Sequence, residues 1–448
     1  IMEKESRLQS FLSNPSKALW TMALPIIAGM MVQTLFNVVD IMFIGWLGAE
    51  EVTAVAFVSP LFFIIIGLTV GLGAGVTASI AQFIGQKDKK NADNCAEHTI
   101  LLGLVITLVL SFLGIVFGEE LLVLLGASGN ILDISYTYLK VLLYGIGLAV
   151  FSLFFRAILA GEGETKIPMF IGLIGTLLNL ILDPIFIFVL EYGVKGAALA
   201  TVISQAVMVI SYLFVIFVRK STYITFNISD FKYSPSIINT IFKIGIPSSI
   251  SMLIISFGQV VMNRILINYS VEAVAAYQIV SRIDMLLFMP ILGIAISLTT
   301  IVGMFFGAKE YEKLVSIVKY GISRAVYITI ISVAILFILA DRILPLFSDD
   351  PEVLNIGITY LRVIILAYPA VGLSVICSRI CQALGEGMPL LVTTITRVLI
   401  ITAPLSYYFY ISAKPIEWVW YAQVFAILIA ATISFGFLRY YFKKFAIV

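Results

Sequence analysis

Residues 52–84 read VTAVAFVSPLFFIIIGLTVGLGAGVTASIAQFI, thirty-three positions without one Asp, Glu, Lys or Arg. As an α-helix this run extends about 50 Å, well past the roughly 30 Å hydrocarbon layer of a bilayer. Nothing in a water-soluble core calls for such a length, so the stretch reads as a membrane span. The rest of the chain agrees with it. Of 448 residues, 61% are hydrophobic and 12% charged, whereas soluble chains carry about 25% charged residues. The short alternating segments of a membrane β-barrel are absent. An all-α polytopic membrane protein is expected.

Read block by block, the sequence gives twelve transmembrane helices. The first six fall at 17–46, 52–84, 94–117, 132–160, 166–190 and 195–218. The second six fall at 236–268, 271–306, 313–340, 353–383, 388–411 and 417–441. With both termini on the cytoplasmic side, seventeen Lys and Arg residues from Lys4 to Lys444 face the cytoplasm. Only Lys195, Arg342 and Lys414 face the other way. This positive-inside asymmetry sets the expected orientation, in the plasma (inner) membrane. The net charge of +2 therefore points to anionic membrane lipid as a partner, and not to nucleic acid. Cys95, Cys377 and Cys381 lack a histidine nearby and read as small apolar core residues. His98, the single histidine, reads as structural.

The chain repeats itself. Pro25 answers to Pro247, QFIGQKD (82–88) to MFFGAKE (304–310), and LAGEGETKIP (159–168) to ALGEGMP (383–389). Asp183-Pro184 answers to Ala403-Pro404, and the offsets stay between 220 and 224 residues. Six spans separate equivalent segments, so the halves keep one orientation, giving two pseudo-symmetric six-helix lobes. The expected domains are an N-lobe at 1–218, a cytoplasmic linker at 219–243 and a C-lobe at 244–448. Parallel repeats are a transporter signature. Neither a phosphate-binding glycine loop nor a catalytic constellation is present, so the chain is not read as an enzyme.

NVVDIMFIGWLG (37–48), LAGEGETKIP and LLNLILDPIFIF (177–188), with Pro25, resemble the multidrug and toxic compound extrusion (MATE) transporters, closest to their DinF-like branch. That resemblance covers the whole chain. It implies a cation-coupled antiporter, driven by H+ or Na+, that exports amphipathic organic compounds by alternating access. In members of this branch the matching N-lobe aspartates couple to the ion, and Tyr138 matches a cavity tyrosine. Bending of the first span about Pro25 has been proposed for relatives.

The residues themselves point to the same place. Gln33, Asn37 and Asp40 share one stripe of span one, with Met30 on its flank. Thr176, Asn179 and Asp183 repeat the pattern in span five, and Thr201, Ser204 and Gln205 share a face of span six. A carboxylate in the bilayer costs at least about 2.5–3.5 kcal/mol unless it meets partners or water, so these stripes should converge inward. Carboxylate, amide and hydroxyl oxygens suit a hard cation. The expected cation site is Asp40, Asn179, Asp183 and Thr201, able to hold a Na+ ion or a proton, with no other cofactor. The expected substrate cavity takes in Met30, Gln33, Phe36, Asn37, Tyr138, Thr176 and Gln205. Pro184 removes the amide partner of the Leu180 carbonyl, and Pro25 does the same for Thr21, making both expected hinges.

Asp40 aligns with Met262 and Asp183 with Ala403, so the fold does not require acids at these places. Another MATE branch has essential acids in spans seven and ten, where this chain has none. Asp284 is expected to pair with an arginine of a neighbouring span. Thirty-two Phe, twenty Tyr and thirteen Met provide adaptable walls for loosely selected, mostly cationic small molecules. The protein is expected to act as a monomer. The alternative cargo is a lipid or lipid-linked saccharide, moved by a flippase whose cavity would draw on Arg282, Arg362 and Arg397.

Overall fold

A computed structural model describes residues 7–227 and 231–447; Lys4 and part of the expected linker lie outside them. Helices α1 (Leu8–Ser13), α2 (Pro15–Gly45), α3 (Ala49–Gly85) and α4 (Lys89–Leu124) come first. They are followed by α5 (Gly129–Tyr144), α6 (Ile146–Gly161), α7 (Lys166–Pro184) and α8 (Gly193–Leu213). Then come α9 (Pro235–Leu266), α10 (Val271–Gly307), α11 (Tyr311–Ile343) and α12 (Pro351–Ile364). The chain ends with α13 (Tyr368–Ala383), α14 (Met388–Ile395), α15 (Ala403–Ile411) and α16 (Glu417–Lys444). No strand occurs among the described residues.

Among the described residues, eleven helices are long and apolar enough to cross a membrane, and α5 with α6 makes a twelfth span bent by 51°. The span expected at 132–160 is thus two helices joined at an elbow. The break falls at Gly145, where a Cβ would run into the Val202 side chain. Absence of a side chain there lets α8 press against the elbow.

The chain divides into two compact units. One joins Arg7 to Leu24–Phe242, and the other joins Leu8–Ala23 to 243–447. The repeat seen in sequence reappears as identical backbone devices. After α3, Lys87 takes φ 59° and the Asp88 amide donates to the Phe83 carbonyl at 2.9 Å. After α10, Lys309 takes φ 59° and the Glu310 amide donates to the Phe305 carbonyl at 3.0 Å. Both are left-handed C-terminal caps that satisfy orphan carbonyls. Gly163 and Gly385, at φ 84° and 94°, close the turns after α6 and α13 in the same way. The acid that follows each is tied locally, Glu164 to Arg7 and Glu386 to Lys243 at 3.0 Å.

In the first unit, the stretch after α8 is strapped to α4 and the α6–α7 turn. The amides of Tyr223 and Ile224 donate to Glu162 Oε2 at 2.9 and 3.0 Å. Thr225 donates through its amide to Asp93 at 2.9 Å. His98 is structural: Nδ1 donates to the Asn94 carbonyl at 2.8 Å, and Nε2 accepts the Ser234 amide at 2.9 Å. Burial pushes the Glu162 carboxyl from 4.5 up to about 7, against the two amides and Arg7, which pull it down. The three cysteines are free and buried.

Candidate functional site

The site is set by how closely α7 and α8 approach. A Cβ on Gly175 would run into Met208, and one on Gly196 would stand 2.5 Å from the Phe186 carbonyl oxygen. These two missing side chains fix an antiparallel register along the pair. By that register Thr201 stands level with Leu180, between the heights of Asn179 and Asp183. Ser204 and Gln205 stand a turn away, level with Thr176.

Pro184 ends the regular part of α7. Because it has no N–H, the Leu180 carbonyl loses its helical donor. The next five residues, Ile185–Val189, widen into a π-turn, closed by the Leu190 amide donating to the Ile185 carbonyl at 2.9 Å. Such turns release backbone groups and recur at functional sites. Sequence reading anticipated the loosened carbonyl but missed the π-turn; Asp-Pro inside an apolar run was its only signal.

Asp183 is buried at 1% exposure, and its carboxyl lies within hydrogen-bonding reach of that of Asp40. Asn179 completes the cluster by donating from Nδ2 to Asp183 Oδ1 at 3.1 Å. Two acids from α2 and α7 therefore meet inside one unit. Asp40 Oδ1 and Asp183 Oδ2 are sealed from solvent with no hydrogen-bond donor among the described residues. Buried carboxylate oxygens without a donor are costly. A shared proton, or a small cation bound to both, removes that cost.

The remaining expected residues divide. Tyr138 on α5 lies within electrostatic range of both acids. It also packs on a small core of Ile44, Ile187 and Ala197 that braces the π-turn. Thr201 is half-buried and at the right height, without a hydrogen bond to either acid. Gln33 donates to Asn37 Oδ1 at 3.2 Å, so these two satisfy each other on an exposed face, one to two turns before Asp40. The Thr176 hydroxyl turns back to the Gly172 carbonyl at 2.7 Å. Ser204 Oγ and Gln205 Oε1 are buried and unpartnered, extending the row of unmet oxygens along α8. Met30 and Phe36 are half-buried on α2.

Oxygen ligands suit sodium, but a full shell takes about six. Asp40, Asp183, Asn179 and the level Thr201 supply the anionic and neutral donors that fit such an ion. No cluster of three or more His, Cys, Asp and Glu that could hold a metal ion occurs among the described residues.

The arginine expected beside Asp284 is not there. Arg362 pairs instead with Asp341 at 2.6 Å, and Asp284 forms no ion pair among the described residues. Asp284 stands instead within electrostatic range of Tyr277 and Tyr360.

The family description MatE matches residues 25–185 and 247–408, once in each repeat. The chain is 25% identical to the probable multidrug resistance protein YoeA of Bacillus subtilis, over 94% of this chain and 92% of that one. Among solved structures, it is 32% identical to an outward-facing multidrug resistance MATE family transporter of the MOP superfamily, covering 99% of both chains with TM-score 0.93. It is also 32% identical to a MOP superfamily transporter from Pyrococcus furiosus, described as having a binding pocket of reverse polarity suggestive of a different function. That likeness covers 99% of this chain and 100% of the other, with TM-score 0.94.

Proposed function

The chain belongs to the MatE family of multidrug efflux transporters, and from that premise we propose that it is an H+- or Na+-coupled antiporter exporting amphipathic, mostly cationic organic compounds by alternating access. The observation that carries this reading is the meeting of Asp40 and Asp183, held by Asn179, with unmet oxygens on both acids. Ion arrival satisfies these oxygens and ion departure exposes them. The site therefore has two states of different energy, and the ion selects between them. The Pro184 π-turn and Pro25 supply the backbone freedom through which that choice reshapes the lobe. One positive charge moving inward through 100 mV yields about 2.3 kcal/mol, enough for roughly a fiftyfold gradient of an uncharged substrate; when a monovalent cation leaves in exchange the charges cancel and the ion's concentration gradient drives export.

The test uses purified protein in proteoliposomes loaded with a fluorescent cationic dye, with a proton or a sodium gradient imposed separately. Export should follow one gradient and collapse in Asp40→Asn and Asp183→Asn. Unaltered export in both variants rejects the coupling site.

A second reading changes the cargo to a lipid or lipid-linked saccharide. The reversed-polarity pocket described for the Pyrococcus relative favours keeping it. Against it, Arg362 is engaged by Asp341 and Arg282 is exposed. Supplying a fluorescent lipid in the same vesicles separates the two readings.

A further inference from the structure

Asp284 is a carboxylate on a membrane span of the second unit, and the proposed cycle leaves it unused. It lies on a stripe of α10 formed by Tyr277, Ser281, Asp284 and Phe288, at helical spacing i, i+4, i+7, i+11. The ring of Tyr277 meets that of Tyr360 at 5.7 Å, and Phe288 meets Tyr368 edge-on at 5.3 Å. Asp284 falls between these two contacts. By parallel register it faces the short 3-10 segment Ile365–Ala367 that interrupts the tenth span. Tyr360 stacks in turn on Trp420 at 4.2 Å and donates to Gln423 Oε1 at 3.2 Å.

Asp284 is half-buried, and its Oδ1 is sealed from solvent without a hydrogen-bond partner among the described residues. The titratable and charged groups around it are few. Tyr277 on its own helix and Tyr360 on α12 are within electrostatic range of it. Arg397, in the π-segment Thr396–Thr402, reaches Tyr277 but forms no ion pair among the described residues. Tyr368 on the far side keeps an unpartnered hydroxyl.

The repeat shows that packing does not ask for an acid here. Ser281 returns its hydroxyl to the Tyr277 carbonyl at 2.8 Å, as Ser59 does to the Val55 carbonyl at 2.9 Å, and the two serines are 222 residues apart. In that register Asp284 corresponds to Phe62, an apolar residue packed on the first unit's core.

We propose that Asp284 is a second proton-binding site, separate from the Asp40–Asp183 pair, loaded and unloaded once per transport cycle. The chemistry selects a proton over a metal ion. The unmet groups of the neighbouring aromatic core include Trp420 Nε1 and Gln423 Nε2, which offer N–H donors where a hard cation needs oxygen ligands. A proton comes from water, binds one carboxylate oxygen and needs no additional ligand or room. The transport part of this inference rests on the antiporter reading; the binding part does not.

The binding part is read by infrared difference spectroscopy of the protein in liposomes, acid minus alkaline buffer. A carbonyl stretch of a protonated carboxylic acid is expected in wild type and in the Asp40→Asn, Asp183→Asn double variant. The part of that band due to position 284 should be lost when Asp284→Asn is added to that double variant, leaving the contribution of Glu162 and the other acids, and should return with a moved midpoint when Asp284→Glu is substituted instead. A band indifferent to both changes at 284 overturns the site. A carboxylate band that responds to sodium but not to pH would replace the proton by a metal and also overturn it. In proteoliposomes, the number of protons exchanged per dye should fall by one in Asp284→Asn while the N-lobe acids remain intact. An unchanged ratio overturns the transport role, even where export by the N-lobe pair proceeds normally.

Discussion

The two lobes share a backbone and differ in where they place acid. In the first, Asp40 and Asp183 meet beside a proline-induced π-turn. In the second, Met262 and Ala403 occupy the matching positions, and a lone Asp284 sits among aromatic rings. Matching caps, at Lys87 and Lys309 and at Gly163 and Gly385, show that architecture is copied faithfully where it matters for folding. The acids are not copied. What differs between the repeats is therefore the better guide to function than what they share.

Four experiments sharpen or break this comparison. The largest effect is expected from Asp183→Asn, which should cut ion-driven export at least about tenfold, equivalent to about 1.4 kcal/mol. Ala403→Asp should leave coupling unimproved, because no partner for the new acid stands on the second lobe's first span. Rescue of an Asp183→Asn background by Ala403→Asp, measured as dye export, would break the asymmetry.

Next comes the helix contact that positions the site. Gly196→Ala forces a methyl against the Phe186 carbonyl and should lower stability by about 1–3 kcal/mol. Gly172→Ala on α7, where a Cβ meets nothing within 4 Å, should stay within about 0.5 kcal/mol of wild type. Thermal unfolding in detergent compares them.

A smaller, pH-dependent effect belongs to the strap. Docked Glu162 holds its proton up to about 7, against an ordinary 4.5, so the docked form binds more protons across that interval. Docking should therefore be strongest below about 4.5, weaken as pH rises to about 7 and level off above it. Hydrogen exchange of the Tyr223 and Ile224 amides should follow this course, after correction for intrinsic rates, and lose it in Glu162→Gln. The smallest effect is reserved for Arg362→Met. Its exposed pair with Asp341 should contribute no more than about 1 kcal/mol and leave export unchanged, whereas a lipid-moving cavity built on Arg362 would suffer visibly.

Much of the fold was legible because membrane spans announce themselves by length, as 52–84 does, and because the repeat is carried by short turn motifs. The bend at Gly145 was not, since glycine inside an apolar run is ordinary in membrane helices. The acids of the candidate site were legible because each is expensive in hydrocarbon and so stands out. Their mutual approach depends on how α2 lies against α7, where Gly29 faces Met169, and a single sequence does not show that. The expected partner for Asp284 failed for the same reason: charge complementarity is visible in sequence, but the face on which each charge stands is not. Thr176 turned back on its own helix, as hydroxyls in spans commonly do.

The central claim is that Asp40 and Asp183 work as one site. A double-mutant cycle on gradient-driven dye export tests it most directly, using Asp40→Asn, Asp183→Asn and the two combined. If the acids form one unit, the combined variant should export no more slowly than the worse single variant. Losses that multiply would mean two independent groups, and the shared site would have to be given up.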